Sequence, residues 1–406
     1  MRKMELNFSK TNDLLEGNVS VFLDLIRGIS AVLVVMEHLS SRLFVGYGNV
    51  ENQNVLSKIL YLLNILGGPS VIIFFVLSGL FISRSVLKAV YESKWSWQSY
   101  LINRLSRLLV VLVPALILTF ILDIIAVNSF GYEGYTNIFD NLSAFIGNLF
   151  FLQNIFVGVY GSNAPLWSLN YEFWYYMLFP VLLLLFFTKQ KKVFKLIYAL
   201  IAVLIFSTVG MRMNSYFLIW LVGTFILVLP RVNFLKKGFI PVLALIILFV
   251  AMIIRPLVMT GRLFTDKWTE NLFGVDLFVG IAFGLFIYTL LHIVAEKIRF
   301  IEFNVLSKIS KLIAGFSFSL YLIHYPIINT VYYWAEKNGF SGMQPSLISV
   351  ALEGALILLV CIIAYYFSRM TEAQTNVVRK FINMKTNTLM VNRRRFKEVR
   401  KQKAVG

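Results

Sequence analysis

Charge is scarce in this chain. Only 14% of its 406 residues are Asp, Glu, Lys or Arg, against roughly 25% in a soluble globular chain, which argues against an ordinary soluble enzyme. Cysteine is almost absent: Cys361 stands alone, so no intramolecular disulfide can form and a disulfide scaffold is excluded. That thiol lies in the apolar run 356–366 and reads as a small buried hydrophobe. Histidine occurs three times. What fills the chain instead is apolar: 58% of residues are hydrophobic, where about 45–50% is usual, and that excludes a disordered chain. A polytopic membrane protein remains.

Runs long enough to cross about 30 Å of hydrocarbon fall near 21–41, 59–83, 108–128, 165–187, 193–209, 214–230, 239–258, 272–294, 312–334 and 347–368. The fold expected is therefore all-α, with about ten transmembrane helices. A further apolar stretch, 138–158, is interrupted by Asp140, Asn141, Asn148, Gln153 and Asn154 and reads as an interfacial or re-entrant segment. The polar first twenty residues and the lack of a small-residue cleavage site give no removable signal peptide. Residues 1–20 are an N-terminal cytoplasmic segment, 21–368 the transmembrane domain and 369–406 a basic tail.

The distribution of Lys and Arg orients these spans. Alternate connections, starting with the N-terminus and ending with the tail, hold 30 of the 38 basic residues, and the connections between them hold 7. Basic residues concentrate on the cytoplasmic side, so both termini are expected in the cytoplasm and the number of spans is even. The net charge of +18 does not point to nucleic acid. Half of it, +9, lies in 369–406, where anionic lipid headgroups are the expected partner.

In so apolar a chain, ionisable residues inside spans are costly and become functional candidates. The first span carries Asp24, Arg27, Glu37 and His38. Arg27 and His38 are eleven residues apart, three helical turns plus about 20°, so they share a face and differ in depth by roughly 16 Å. Asp24 can pair with Arg27 at i, i+3, while Glu37 points about 100° away from His38. His292 reads as a boundary residue. His324 stands mid-span between Tyr321 and Tyr325, close to Pro326, which frees the carbonyl of Leu322. A structural polar patch and a ligand contact both fit that segment.

Five segments in order carry a resemblance. They are Leu23 to His38, with an Arg and a His separated by ten residues; Phe74-Phe-Val-Leu-Ser-Gly79; Arg104-Leu-Ser-Arg107; Leu166-Trp-Ser-Leu-Asn-Tyr-Glu172; and Ser319-Leu-Tyr-Leu-Ile-His-Tyr-Pro326. Each is weak alone. Together, from about residue 22 to 326, they resemble the membrane acyltransferase-3 family.

The resemblance implies transfer of an acyl group, usually acetyl from acetyl-CoA, to a hydroxyl of a cell-surface polysaccharide or lipid-linked sugar, in the inner membrane and without a metal. His38 is then the expected base, with Glu172 preferred over Asp24 as its partner and Arg27 steadying the pyrophosphate or thioester oxygen. Arg104 and Arg107, on a cytoplasmic loop, suit the phosphates of coenzyme A. Trp167, Ser168, Tyr321 and His324 are left to contact the acceptor, and Ser78-Gly79 reads as a close helix contact rather than a nucleophile. The rival reading is a glycolipid or polysaccharide flippase or exporter using the same buried groups. The acceptor, the acyl chain length and the oligomeric state stay open.

Overall fold

A computed structural model describes residues 2–15, 18–132, 138–259, 263, 272–294 and 304–386. Among them the structure is helical, with two isolated bridges and no strand. The long helices are α1 (Arg2–Leu14), α2 (Asn18–Leu43), α3 (Val55–Asn64), α4 (Gly67–Tyr91), α5 (Trp97–Phe130), α6 (Ile138–Leu149), α7 (Trp167–Phe187), α8 (Lys192–Val228), α9 (Phe239–Met259), α10 (Phe273–Val294), α11 (Asn304–Lys337) and α12 (Leu347–Met370). Helical residues continue over 375–386. Most of the basic tail, 387–406, lies outside the described residues, as do parts of the loops 129–164, 255–271 and 295–311.

Nine helices among the described residues are long and apolar enough to cross a membrane, one fewer than the ten runs. The difference is α8, which breaks at Gly210 (φ 78, ψ 167), a conformation that glycine adopts without a Cβ penalty. The Asn214 side chain donates to the carbonyl of Phe206 at 2.8 Å, a reach of eight residues that a straight helix does not allow. Near its start Tyr198 accepts from Trp97 Nε1 at 3.1 Å, and near its end the Val228 carbonyl accepts from Asn7 at 3.1 Å. Trp97 and Asn7 belong to one side of the bundle, because Phe8 packs on Tyr91 with ring centroids 5.3 Å apart. Both ends of α8 therefore return to that side and its two limbs are two crossings, which makes ten crossings among the described residues.

Two boundaries shift. The run 59–83 is split at Ile65 and Leu66, so the crossing helix is α4, and α3 is a short helix capped by the Asn54 side chain on Ser57 N at 3.0 Å. The span expected at 108–128 is extended by α5 back to Trp97, where Trp95, Trp97 and Tyr100 cluster, as aromatic residues do at a membrane interface. One side of α5, with Ile117, Phe120, Ile121, Ile124 and Ile125, is exposed and faces lipid. Helix α6 has 12 residues, about 18 Å, too short to cross, and the loop after it buries Gln153 and Asn163 in the bundle.

The central contact is α2 against α11. Gly28 lies against Ile313, where an added methyl would overlap the isoleucine side chain, so the backbones approach closely. The two helices run parallel: Arg27 meets Ala314 and His38 meets His324. Similarly, Gly79 of α4 and Gly223 of α8 sit against each other's helix backbones, which gives Ser78-Gly79 its packing role.

Candidate active site

Helices α2, α4, α5, α7 and α11 enclose a cavity of about 310 Å³ whose polar lining includes Arg27, Arg104, Arg107, Ser78, Ser168, Glu172, Tyr176 and Tyr321. Arg27 reaches it from the third turn of α2, with one guanidinium nitrogen on Asp24 Oδ1 at 3.2 Å and on the Ala314 carbonyl at 3.2 Å. The expected Asp24–Arg27 pair is thus formed. The Nε atoms of Arg27 and Arg104 are buried without a partner.

Arg104 and Arg107 are not on a loop. Because α5 starts at Trp97, Arg107 stands ten residues along it, roughly 15 Å from its start, and lines the cavity while staying exposed. The apolar run alone begins at Leu108, and the helix before it is amphipathic enough to escape that reading. Arg104 lies 5.7 Å from the centroid of the Tyr100 ring, and its other electrostatic neighbours are Tyr176, Arg107 and Arg379. Among the described residues no carboxylate pairs with it. Arg379, in the helix over 375–386, brings a residue of the tail to this site, which the chain's charge pattern did not single out.

Glu172 accepts from Tyr176 at 3.2 Å and from Ser78, and it interacts with Arg107. It makes no bond to His38, so the expected His38–Glu172 pairing is replaced. Two protein groups explain why: Tyr176 and Ser78 hold the carboxylate on the arginine side of the cavity, and Trp220 Nε1 anchors Ser78 in turn at 3.2 Å. Glu372, just past α12, accepts from Ser319 Oγ at 3.1 Å and interacts with Arg107 and Arg27.

His38 meets a different partner. Its Nδ1 lies 2.8 Å from His324 Nε2, with the rings nearly coplanar at a centroid distance of 5.1 Å and an interplanar angle of 7°. His324 is fully buried. Tyr321, one turn before it, stands between this pair and the cavity: its ring is 5.9 Å from His324 and its hydroxyl 2.7 Å from Ser168 Oγ. Trp167 packs edge-on to Tyr171 at 5.3 Å rather than lining the cavity. The carbonyl of Leu322 freed by Pro326 accepts from Asn163 Nδ2 at 2.8 Å.

Elsewhere, His292 accepts from Val232 N at 3.0 Å and bonds the Tyr288 carbonyl at 2.7 Å, closing a helix end. Glu37 is turned towards Gly68 and Arg255, and Arg255 pairs with Asp276 at 2.5 Å, to which Tyr216 also donates. Asp123 accepts from Ser162 N at 2.8 Å, and Glu353 accepts from Ser40. Asp123, Asp276 and Glu353 are buried acids inside spans, and the rule that picked out Arg27 would have found them. Asn163, a neutral amide in a loop, carried no such signal.

Membrane-crossing helices, five of which surround a cavity lined by three guanidinium groups, define a multi-pass membrane protein with an internal site for charged chemistry. The profile of the family described as Acyltransferase domain matches residues 20–366. The chain belongs to this acyltransferase-3 family and is a membrane acyltransferase. No curated protein and no solved structure matches it.

Proposed function

We propose that the protein is an O-acetyltransferase of the inner membrane that moves an acetyl group from acetyl-CoA to a hydroxyl of a cell-surface polysaccharide or lipid-linked sugar. The observation that carries this reading is the convergence of Arg27, Arg104 and Arg107 on one cavity, with Arg104 lacking any carboxylate partner among the described residues. Guanidinium groups bind phosphate oxygens through paired, charge-assisted bonds, and coenzyme A presents such oxygens on the side of the membrane that the basic residues mark as cytoplasmic.

In this reading the phosphates rest on Arg104 and Arg107, and Arg27 meets the pyrophosphate or the thioester oxygen. His38 Nε2 takes the proton of the acceptor hydroxyl as its oxygen attacks the thioester carbonyl. The new bond is oxygen to carbonyl carbon, the carbon–sulfur bond breaks, and the proton passes from His38 to the leaving thiolate. No metal takes part. Glu172 acts among the arginines, and Ser168, Tyr321 and His324 lie between the two ends of the path. The acceptor enters from the opposite face, capsule, exopolysaccharide, lipopolysaccharide and wall polymer all being suitable. The tail 369–406 rests on anionic headgroups.

The test is transfer of label from radiolabelled acetyl-CoA to endogenous glycan in membranes carrying the protein. Transfer that disappears with His38→Ala supports the reading. Undiminished transfer in that variant removes His38 from the chemistry, and label that is never fixed on glycan or lipid-linked sugar removes the acceptor class.

A further inference from the structure

We infer that His324 is a positioning residue that selects the tautomer of His38 and aims its Nε2 at the acceptor hydroxyl; this rests on the role proposed above for His38. The argument starts at the backbone. His324 Nδ1 lies 3.0 Å from the carbonyl oxygen of Leu320. A carbonyl oxygen only accepts, so Nδ1 must carry the hydrogen. In the neutral ring Nε2 is then bare. That bare nitrogen faces His38 Nδ1 at 2.8 Å, so His38 must donate from Nδ1, and its own Nε2 carries no hydrogen. Two bonds thus leave one lone pair available, on the nitrogen that no protein group among the described residues engages.

The arrangement has the logic of a base oriented by a third group, with an imidazole where a carboxylate is more familiar. When His38 takes a proton at Nε2, its Nδ1–H bond to His324 becomes charge-assisted and stronger. The neutral ring stabilises the imidazolium without adding a permanent charge at membrane depth, where an isolated ion is expensive.

The frame around His324 fixes its place. The two rings are nearly coplanar, with 7° between their planes, as an in-plane bond between ring nitrogens requires, and Tyr325 packs edge-on to His38 with centroids 4.8 Å apart. Pro326 removes a helix bond at Leu322, and Asn163 supplies the missing donor while also bonding Thr119 Oγ1 at 3.1 Å. The carbonyl freed two residues before His324 is therefore held by a side chain of the loop before α7, itself bonded to α5.

Three substitutions separate positioning from bulk. His324→Gln places an amide oxygen near the site of Nε2 and can still accept from His38. His324→Asn is shorter and can serve Leu320 but not His38. His324→Phe keeps an aromatic ring without any acceptor. Initial rates of label transfer from acetyl-CoA to endogenous glycan are measured in membranes holding equal amounts of each full-length variant, with acetyl-CoA varied. The expected result is a kcat that falls about 100-fold in the Phe and Asn variants, the lower end of what a positioned general base contributes, with KM for acetyl-CoA unchanged. The Gln variant retains more activity than either.

Phe equal to or better than Gln would overturn the inference, since a packing role ranks the variants by shape. A raised KM at constant kcat overturns it in favour of a donor contact. His38→Ala is run alongside: its loss of transfer keeps the base assignment intact whatever His324 does, and its full activity defeats both readings together. Melting temperatures in detergent identify a variant that has lost its fold, and the Gln and Asn pair, similar in polarity, still decides the question.

Discussion

Arg104→Ala should weaken coenzyme A binding while leaving the ligand-free fold intact, and the opposite signs make the experiment decisive. An arginine that loses a carboxylate partner on mutation strands that acid in the bundle, at several kcal/mol. Among the described residues Arg104 has no such partner: its Nε is buried unbonded, its guanidinium lies 5.7 Å from the Tyr100 ring centroid, and two of its electrostatic neighbours, Arg107 and Arg379, share its charge. Removing it forfeits a cation–π contact of about 0.5–1 kcal/mol and relieves like-charge repulsion, so the melting temperature should hardly move. A charge-assisted hydrogen bond is worth about 1.5–3 kcal/mol, and at about 1.4 kcal/mol per decade its loss weakens binding roughly 10- to 100-fold. Calorimetric titration of the detergent-purified protein with coenzyme A measures this, and the deficit should shrink as salt is raised, as expected for a contact between charges. Unchanged affinity would return Arg104 to a purely topological role. Weak binding accompanied by a large fall in melting temperature would show that it holds the helices and not the ligand.

Other expectations test the frame around this site. In a Cys361→Ser background, single cysteines at Lys191 and Lys237 should react with a membrane-impermeant thiol reagent from one side and a cysteine at Arg212 from the other, because α8 turns at Gly210; labelling of all three from one side would refute the hairpin. Asn163→Ala should cost about 1–3 kcal/mol by leaving the Leu322 carbonyl unbonded, read as a lower melting temperature together with slower transfer. Gly28→Ala should cost about 1–3 kcal/mol through overpacking against Ile313, whereas Gly315→Ala, with open space around it, should be nearly neutral; equal effects would mean that α2 and α11 do not touch at Gly28.

Much of the architecture is legible from the chain because the bilayer imposes length and polarity on every crossing. The apolar runs and the spread of basic residues led to ten crossings, and the ionisable residues of the first span led to Arg27 and His38. Depth was harder. The apolar run starts after Arg107, yet α5 begins ten residues earlier at Trp97, since an interfacial turn needs amphipathic rather than apolar residues. That single shift moves two arginines from a loop to the cavity. Partners were harder still. Glu172 and His38 share a half of the bundle by depth, but helical periodicity is silent on which helix faces which. The pairing of His38 with His324, 286 residues apart, follows from the parallel packing of α2 and α11, and only tertiary structure expresses it.

That packing also ties the two ends of the site together. Gly28 lets α11 approach α2, and the same register that sets Arg27 on the Ala314 carbonyl at 3.2 Å sets His38 on His324 at 2.8 Å. Eleven residues separate the pair on α2 and ten separate their partners on α11, so both contacts are met by two nearly parallel rods without a kink between them. A slide of one helix along the other by a single residue, about 1.5 Å, would loosen the arginine and the imidazole together. If the donor binds at Arg27 and the acceptor is activated at His38 as proposed, their spacing is fixed by this helix pair rather than by any one side chain.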